Sequence, residues 1–447
     1  MSDMLSIGAS GVRAYQTALA TVGENIANVN SAGYTRRQVA LNEVAGVGTT
    51  FAYAAGNGVT LTGVTRSTDI YSSRALRAAN SDLSRTTSGA AWLDRIQGAL
   101  TGNALTSRVT NFFGAAQALA AEPDSTALRT GMVSAATSAA IAFTATGRAF
   151  DQIDADIDTA GNQAAQDLTS LGVSLSKINE GISRSQPGST AAAQLMDQRD
   201  DVLSQMSNLS DITTTFDSIG RATVNLGGSS GAPFVRGTGA GTVTYARDDT
   251  GKIAFSITVG IEKTQITPGG GTLGGLVDGA QRASSIRDVL NSVAGQFVKT
   301  VNDNQAAGKD QNNQTGAAMF VIDQTRPATE MSVATGFVGS QIAAGTGGGS
   351  RDASNLAALE ATRNSKGYEA QLTTLVTDNA TAYKQKNTIA DAQTSIRDGA
   401  ATALSSSTGV NLDSEAVDLI RFQQAYAASS RVIQVARETM QTLLDMR

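Results

Sequence analysis

Over the first thirty residues Val12, Tyr15, Leu19, Val22, Ile26 and Val29 recur in alternating steps of three and four. This is the spacing of a heptad seam, and it predicts a helix that needs a partner. At the other end Leu419, Phe422, Tyr426, Ser429, Ile433, Ala436, Met440 and Leu443 keep the same steps, with the small Ser429 and Ala436 allowing close approach. Isolated helices of this length are marginal in water, so each stripe has to be buried against the other or against a neighbouring subunit. On periodicity alone, an internal coiled coil and an intermolecular one are equally good readings.

A third run carries Phe143, Phe150, Ile153, Ile157, Ala160, Ala164, Leu168, Leu171, Leu175, Ile178 and Ile182 behind the helix start Pro123-Asp124-Ser125. Unbroken from 125 to 184 it would be about 90 Å long at 1.5 Å per residue, which implies a rod. Segments 66–101 and 365–404 are long enough to pack alongside it. Between 211 and 266 the period changes. Residues 212–216, 222–226, 242–245 and 253–259 are β-branched and alternating, with Gly and Asp turns between them, and read as short antiparallel strands. Helical spacing resumes at Ile286, Val289, Leu290, Val293, Phe297, Val298 and Val301.

The expected fold is therefore mainly α, an elongated helical bundle with terminal coiled-coil helices and a small antiparallel β-rich insertion. The expected partition is a terminal assembly unit of 1–65 with 405–447, a central helical unit of 66–210 with 276–404 in which 321–360 is short and irregular, and a β-rich insertion of 211–275. Prolines stand only at 123, 187, 233, 268 and 327, leaving the long helical stretches free of the strongest breaker. Glycine clusters at 227–241, 269–275 and 345–349 read as turns and loops.

Composition narrows the chemistry. The 447 residues carry 34 Lys plus Arg against 39 Asp plus Glu, a net charge of -5, and no basic run, so nucleic acid is not an expected partner. Charged residues are 16%, below the usual share of about 25%, giving a polar but weakly charged surface. With no Cys and no His, thiol nucleophiles, disulfides, thiolate or imidazole metal ligands and histidine proton carriers are all excluded. No stretch has the roughly 18 apolar residues of a bilayer span, so no membrane partner is expected. The start Met1-Ser2-Asp3-Met4 lacks the basic and apolar regions of a secretory signal, and export would use another route.

Three local patterns suggest chemistry and fail on their context. Asp154, Asp156 and Asp158 open like a calcium loop, but Thr159 and Ala165 stand where the loop needs Gly and Glu, and a solvated helix face explains the carboxylates. Gly269-Gly270-Gly271-Thr272-Leu273-Gly274 satisfies a bare dinucleotide pattern without a βαβ context, and reads as a loop. Ser174 and Lys177 form a Ser-x-x-Lys pair without the companion motifs of that serine chemistry. No catalytic residue, cofactor or metal site is expected.

The segment from Gly23 to Val39, which contains Asn25, Asn28, Asn30, Gly33 and Tyr34, resembles the N-terminal signature of the bacterial flagellar axial protein family. The segment from Gly409 to Gln434 resembles that family's C-terminal signature. In the middle, Leu195-Met196-Asp197-Gln198-Arg199-Asp200-Asp201-Val202-Leu203 and Val301-Asn302-Asp303-Asn304-Gln305-Ala306-Ala307-Gly308 resemble its hook-associated members, whereas rod and hook proteins lack such helices. Two departures stand out. Ser31-Ala32 replaces a frequent Thr-Pro, and only 321–360 occupies the place of an outer β domain that larger relatives carry.

The resemblance implies a structural subunit at the hook-filament junction. It would be exported unfolded through the flagellar channel without a cleavable signal, and its terminal helices would self-assemble into an extracellular ring or helical layer. Implied partners are further copies of the chain, the hook protein, the second junction protein toward the filament and an export chaperone. The residues that would form the assembly seam are Val12, Tyr15, Leu19, Val22, Ile26, Leu419, Phe422, Tyr426, Ile433, Met440 and Leu443. Asn25, Asn28, Asn30, Gly33 and Tyr34 would shape the turn after the first helix, Gly33 through a positive φ. A hook or rod subunit, an enzyme on an axial scaffold and a secreted coiled-coil adhesin are the competing readings.

Overall fold

A computed structural model describes residues 2–31, 33–44, 58–228, 231–248, 251–347 and 349–446. Ala32, half of the Ser31-Ala32 departure, lies outside the described residues, as do 45–57 of the expected terminal unit. Helix α1 (Ser2–Ala27) leads into an antiparallel hairpin of β1 (Arg37–Glu43) and β2 (Val59–Arg66). Then come α2 (Ile70–Gly102), α3 (Leu105–Ala121), α4 (Thr126–Arg184) and α5 (Thr190–Leu209). The β-rich part holds β3 (Ile212–Phe216), β4 (Ala222–Leu226), β5 (Ala232–Arg236), β6 (Gly239–Ala240), β7 (Thr242–Arg247), β8 (Ile253–Val259) and β9 (Glu262–Ile266). After α6 (Gly271–Ala307), short β10 (Phe320–Val321) and β11 (Ser332–Val333) pair, and α7 (Ser354–Lys366), α8 (Tyr368–Thr408) and α9 (Leu412–Asp445) finish the chain.

The 59 residues of α4 form one helix, with Ser125 accepting the Leu128 amide at its start. Its buried face carries Phe143, Phe150, Ile153, Ile157, Ala164, Leu168 and Leu175. Phe297 of α6 lies at the centre of an aromatic cluster, with ring centroids 5.3 Å from Phe112, 5.8 Å from Phe113, 5.7 Å from Phe143, 5.4 Å from Phe320 and 5.9 Å from Tyr368. Mostly edge-on or tilted pairs of this kind add to the burial of large apolar area and fix how α3, α4, α6 and α8 meet.

Two sheets, β3-β4-β5-β6 and β7-β8-β9, form the β-rich part and lie against α4. Fully buried Asn179 donates to the Ala222 and Gly237 carbonyls at 2.8 Å each and accepts from the Ala222 amide at 2.9 Å, while Thr169 accepts from the Val243 amide. The acidic row of α4 has the same kind of task. Asp154 pairs with Arg247 and Arg287, Asp158 with Arg247 and the Tyr245 hydroxyl, Asp156 with Arg95 and Asp151 with Arg326. A solvated face describes Asp151, Asp156 and Asp158 only in part, and Asp154, at 15% side-chain exposure, not at all: these carboxylates also stitch α4 to α2, α6, β7 and the segment before β11.

The glycine cluster at 269–275 is not a loop throughout. Helix α6 starts at Gly271, inside the expected insertion, because Gly275 and Gly279 let it approach α2 closely; a Cβ there would stand 2.5 Å from Ser88 and 2.6 Å from Trp92. Likewise α8 runs to Thr408 and β2 to Arg66, across the expected boundaries after 404 and after 65. Between 321 and 360 the chain is short and irregular up to α7, which begins at Ser354.

Candidate assembly site

Helices α1 and α9 pack antiparallel, and their contact runs through small side chains. Gly8, Gly11, Ala14 and Ala18 are buried on α1. A Cβ on Gly8 would stand 2.7 Å from Ile433 Cγ1, and one on Gly11 would stand 2.6 Å from Ser429 Oγ. Backbones this close gain dispersion along their whole length, as large side chains would not permit. Tyr15 and Phe422 pack together beside this stretch with ring centroids 6.3 Å apart.

Beyond the small-residue stretch the pair ends in a buried polar junction. Asn25 and Glu415 are both 0% exposed. The Asn25 amide donates to Glu415 Oε2 at 2.9 Å and to the Arg37 carbonyl at 2.8 Å; its oxygen accepts from the Arg37 amide at 3.0 Å and the Tyr34 hydroxyl at 2.8 Å. All four hydrogen-bonding positions of the side chain are used. Arg36 binds Glu415 Oε1 at 2.6 Å and Asp418 at 3.1 Å, and its amide donates to the Thr408 carbonyl at the end of α8. Burial pushes the Tyr34 hydroxyl up to about 12, keeping it a neutral donor to Asn25.

The same turn is fastened to the central helices. Asp197 of α5 receives Arg37 at 3.1 Å, Arg66 at 2.8 Å and the Thr35 hydroxyl at 2.6 Å, while Arg66 also binds Asp200 at 2.8 Å. Arg199 lies over the Phe216 ring at 4.2 Å and donates to the Gly220 carbonyl, and burial lowers its pKa. A cavity of about 600 Å³ opens beside this cluster, between the Tyr34 turn, the start of α2, α5 and the end of α8. Among the described residues no group of acidic side chains could hold a metal ion, and no helix is long and apolar enough to cross a membrane.

The expected seam residues do not act as one intrachain contact. On α1, Val22 is buried, whereas Val12, Tyr15, Leu19 and Ile26 are half-buried beside the small-residue line. On α9, Leu419, Phe422 and Ile433 are half-buried, whereas Tyr426, Met440 and Leu443 are 37%, 49% and 45% exposed. The reason is geometric: helices meeting across glycine and alanine leave their larger apolar residues on the flanks. Of the turn residues, Asn25 and Tyr34 enter the buried junction, Asn28 donates to the Glu24 carbonyl and accepts from Ser31, Gly33 has φ +75°, and Asn30 is exposed. Sequence reasoning assigned no role to Arg36, Arg37, Arg66, Asp197 or Glu415. For Arg36, Arg37 and Glu415 the available signal is a charge inside a terminal signature, and for Asp197 its place in the segment Leu195–Leu203; Arg66 carries none.

A model of the flagellar hook-associated protein FlgK helical domain matches residues 91–320, and one of the flagellar basal body rod FlgEFG protein C-terminal region matches residues 402–446. Flagellar hook-associated protein 1 of Escherichia coli strain K12 is 26% identical over 344 residues, covering 72% of this chain and 60% of the relative. Its Salmonella typhimurium counterpart is 27% identical over the same shares. The chain thus spans less than two thirds of these relatives. The Bacillus subtilis strain 168 protein of the same name is 23% identical, covering 97% of this chain and 96% of its own length. The solved flagellar hook junction protein FlgK from Burkholderia pseudomallei superposes with TM-score 0.51 at 20% identity, over 56% of this chain and 47% of that one, a likeness of fold. Since the helical-domain match alone takes in more than half of the 447 residues, the chain belongs to the family of the flagellar hook-associated protein FlgK.

Proposed function

We propose that this chain is a structural subunit of the bacterial flagellum that forms the junction between hook and filament through self-assembly of its α1–α9 pairs. One observation carries the reading: among the described residues, α9 has two apolar faces and only one of them is covered. Its inner face lies on α1, while Val417, Ile420, Val432 and Val435 stand exposed on other sides, Val417 at 66% and Val435 at 54%. A 34-residue helix whose main neighbour among the described residues is α1 calls for further cover, which copies repeated around an axis supply.

The seam residues Val12, Tyr15, Leu19, Ile26, Tyr426, Met440 and Leu443, left on the flanks of the pair, would join that contact. The partners are then further copies of the chain, the hook protein on one side and the second junction protein on the other. Before export, a chaperone would cover α9. The molecule works outside the cell by mechanical coupling between neighbours, without catalysis, cofactor, nucleic acid or membrane. The helical match over 91–320 favours the junction over a rod or hook position. The reduced segment 321–360 would leave this subunit without the outer domain of larger relatives.

The test is a chain carrying Val417→Asp and Val435→Asp, expressed in its own host after deletion of the native gene. We expect export to the medium, an unchanged Trp92 fluorescence spectrum from the central helices and no incorporation into hook-basal structures. Incorporation at the normal level would contradict the reading.

A further inference from the structure

We infer that Glu415, with Asn25 and Arg36, fixes the register in which α9 packs on α1. The rest of the contact is poor at doing so. Gly8 meets Ile433 and Gly11 meets Ser429; a slide of one heptad, about 10 Å, sets Ala436 or Phe422 against Gly11, and a glycine with no side chain of its own discriminates little between them. A buried polar position that finds its partner in only one alignment is what specifies register in a helix pair.

Glu415 is the one fully buried carboxylate among the described residues. In the observed alignment both of its oxygens are used, Oε1 by Arg36 at 2.6 Å and Oε2 by Asn25 at 2.9 Å. Sliding α9 by a heptad in one sense sets Glu415 against Ala18, where it has no donor. In the other sense, Asn25 faces the Phe422 ring and loses its carboxylate. Either slide strands a buried polar group, a larger loss than that of the Tyr15–Phe422 ring contact. Arg36 makes the choice consequential beyond the pair: its amide is bonded to Thr408 at the end of α8 and its neighbour Arg37 to Asp197 of α5. The register at Glu415 therefore sets how far α9 projects from the central helices and which of its apolar residues face outward.

The chain has no cysteine, so disulfide trapping on the full-length protein has no background. Gly11→Cys with Ser429→Cys reports the observed register; Gly11→Cys with Ala436→Cys and Gly11→Cys with Phe422→Cys report slides in the two senses. In the otherwise unchanged chain the first pair should cross-link at least about tenfold more than either other pair, the ratio expected of a single favoured alignment. Adding Glu415→Ala should bring the three yields within about threefold of one another. If that variant loses the helix pair altogether, the chain with Asn25→Leu and Glu415→Leu decides. It lacks the buried carboxylate and amide, its helicity is checked by circular dichroism, and it should also lose the preference. Retention of the tenfold preference by the double-leucine chain would overturn the inference, as would equal yields from the three pairs in the unchanged chain. None of these outcomes depends on where in a flagellum the protein resides.

Discussion

Replacing Asp197 by Ala should uncouple the terminal helices from the central bundle. Asp197 is only 12% exposed at its side chain, and three donors converge on it: Arg37, Arg66 and the Thr35 hydroxyl. Leaving a buried charge without its partner costs about 3 to 5 kcal/mol. Two residual pairs soften the loss. Arg66 keeps Asp200 at 2.8 Å, and Arg37 keeps Glu24 at 3.2 Å, though that glutamate is 44% exposed and contributes little. The expected cost is therefore about 3 kcal/mol, near the lower end of that range. It falls on local opening of β1, β2 and the Tyr34 turn, not on the aromatic cluster around Phe297, which Asp197 does not touch. Hydrogen exchange resolves the two: amides of β1 and β2 should exchange about 100-fold faster, while those of α3 and α4 stay as they were. A double-mutant cycle with Arg66→Ala isolates the pair and should give a coupling of about 2 kcal/mol. Uniform faster exchange, or a coupling below about 0.5 kcal/mol, would refute the assignment of Asp197 as the anchor.

Gly11→Val puts branched carbons where Ser429 already stands, so the α1–α9 contact should weaken by about 1 to 3 kcal/mol and incorporation into flagella should fall, measured by immunoblot of purified hook-basal structures. Leu19→Asp or Ile433→Asp should block incorporation while the central bundle keeps its thermal unfolding midpoint. Phe297→Ala should cost about 3 to 5 kcal/mol and lower the urea midpoint followed by Trp92 fluorescence. Asp278 responds to pH: burial raises its pKa, but hydrogen bonds from Arg85 and Lys386 outweigh this and hold it below the usual 3.8. A depressed folded-state pKa adds stability that is present above pH ~4 and lost as pH falls further, so Asp278→Asn should flatten the acid limb of the stability curve.

Much of this architecture can be read from local pattern. The strands at 212–216, 222–226 and 253–259 coincide with β3, β4 and β8, and the apolar run after Ser125 forms one helix to Arg184, because alternation and helical spacing are set by neighbours in sequence. What escapes is non-local. The hairpin of β1 and β2 pairs strands across residues 45–57, and its Arg37 and Arg66 find their carboxylate on α5, 160 and 131 positions onward. Glu415 reaches Asn25 across 390 positions. A heptad rule selects large apolar residues, so it marks Leu19 and Tyr426 and passes over Gly8 and Gly11, where the backbones meet. Glycine misleads in the same way at Gly275 and Gly279, whose value to α6 lies in what packs against them.

The central claim is a place in the flagellum, and deletion of the gene in its own host tests it most directly. Electron microscopy should show hooks without filaments, with flagellin lost to the medium and filaments restored by the intact gene. Normal filaments and normal motility in the deletion strain would contradict the account.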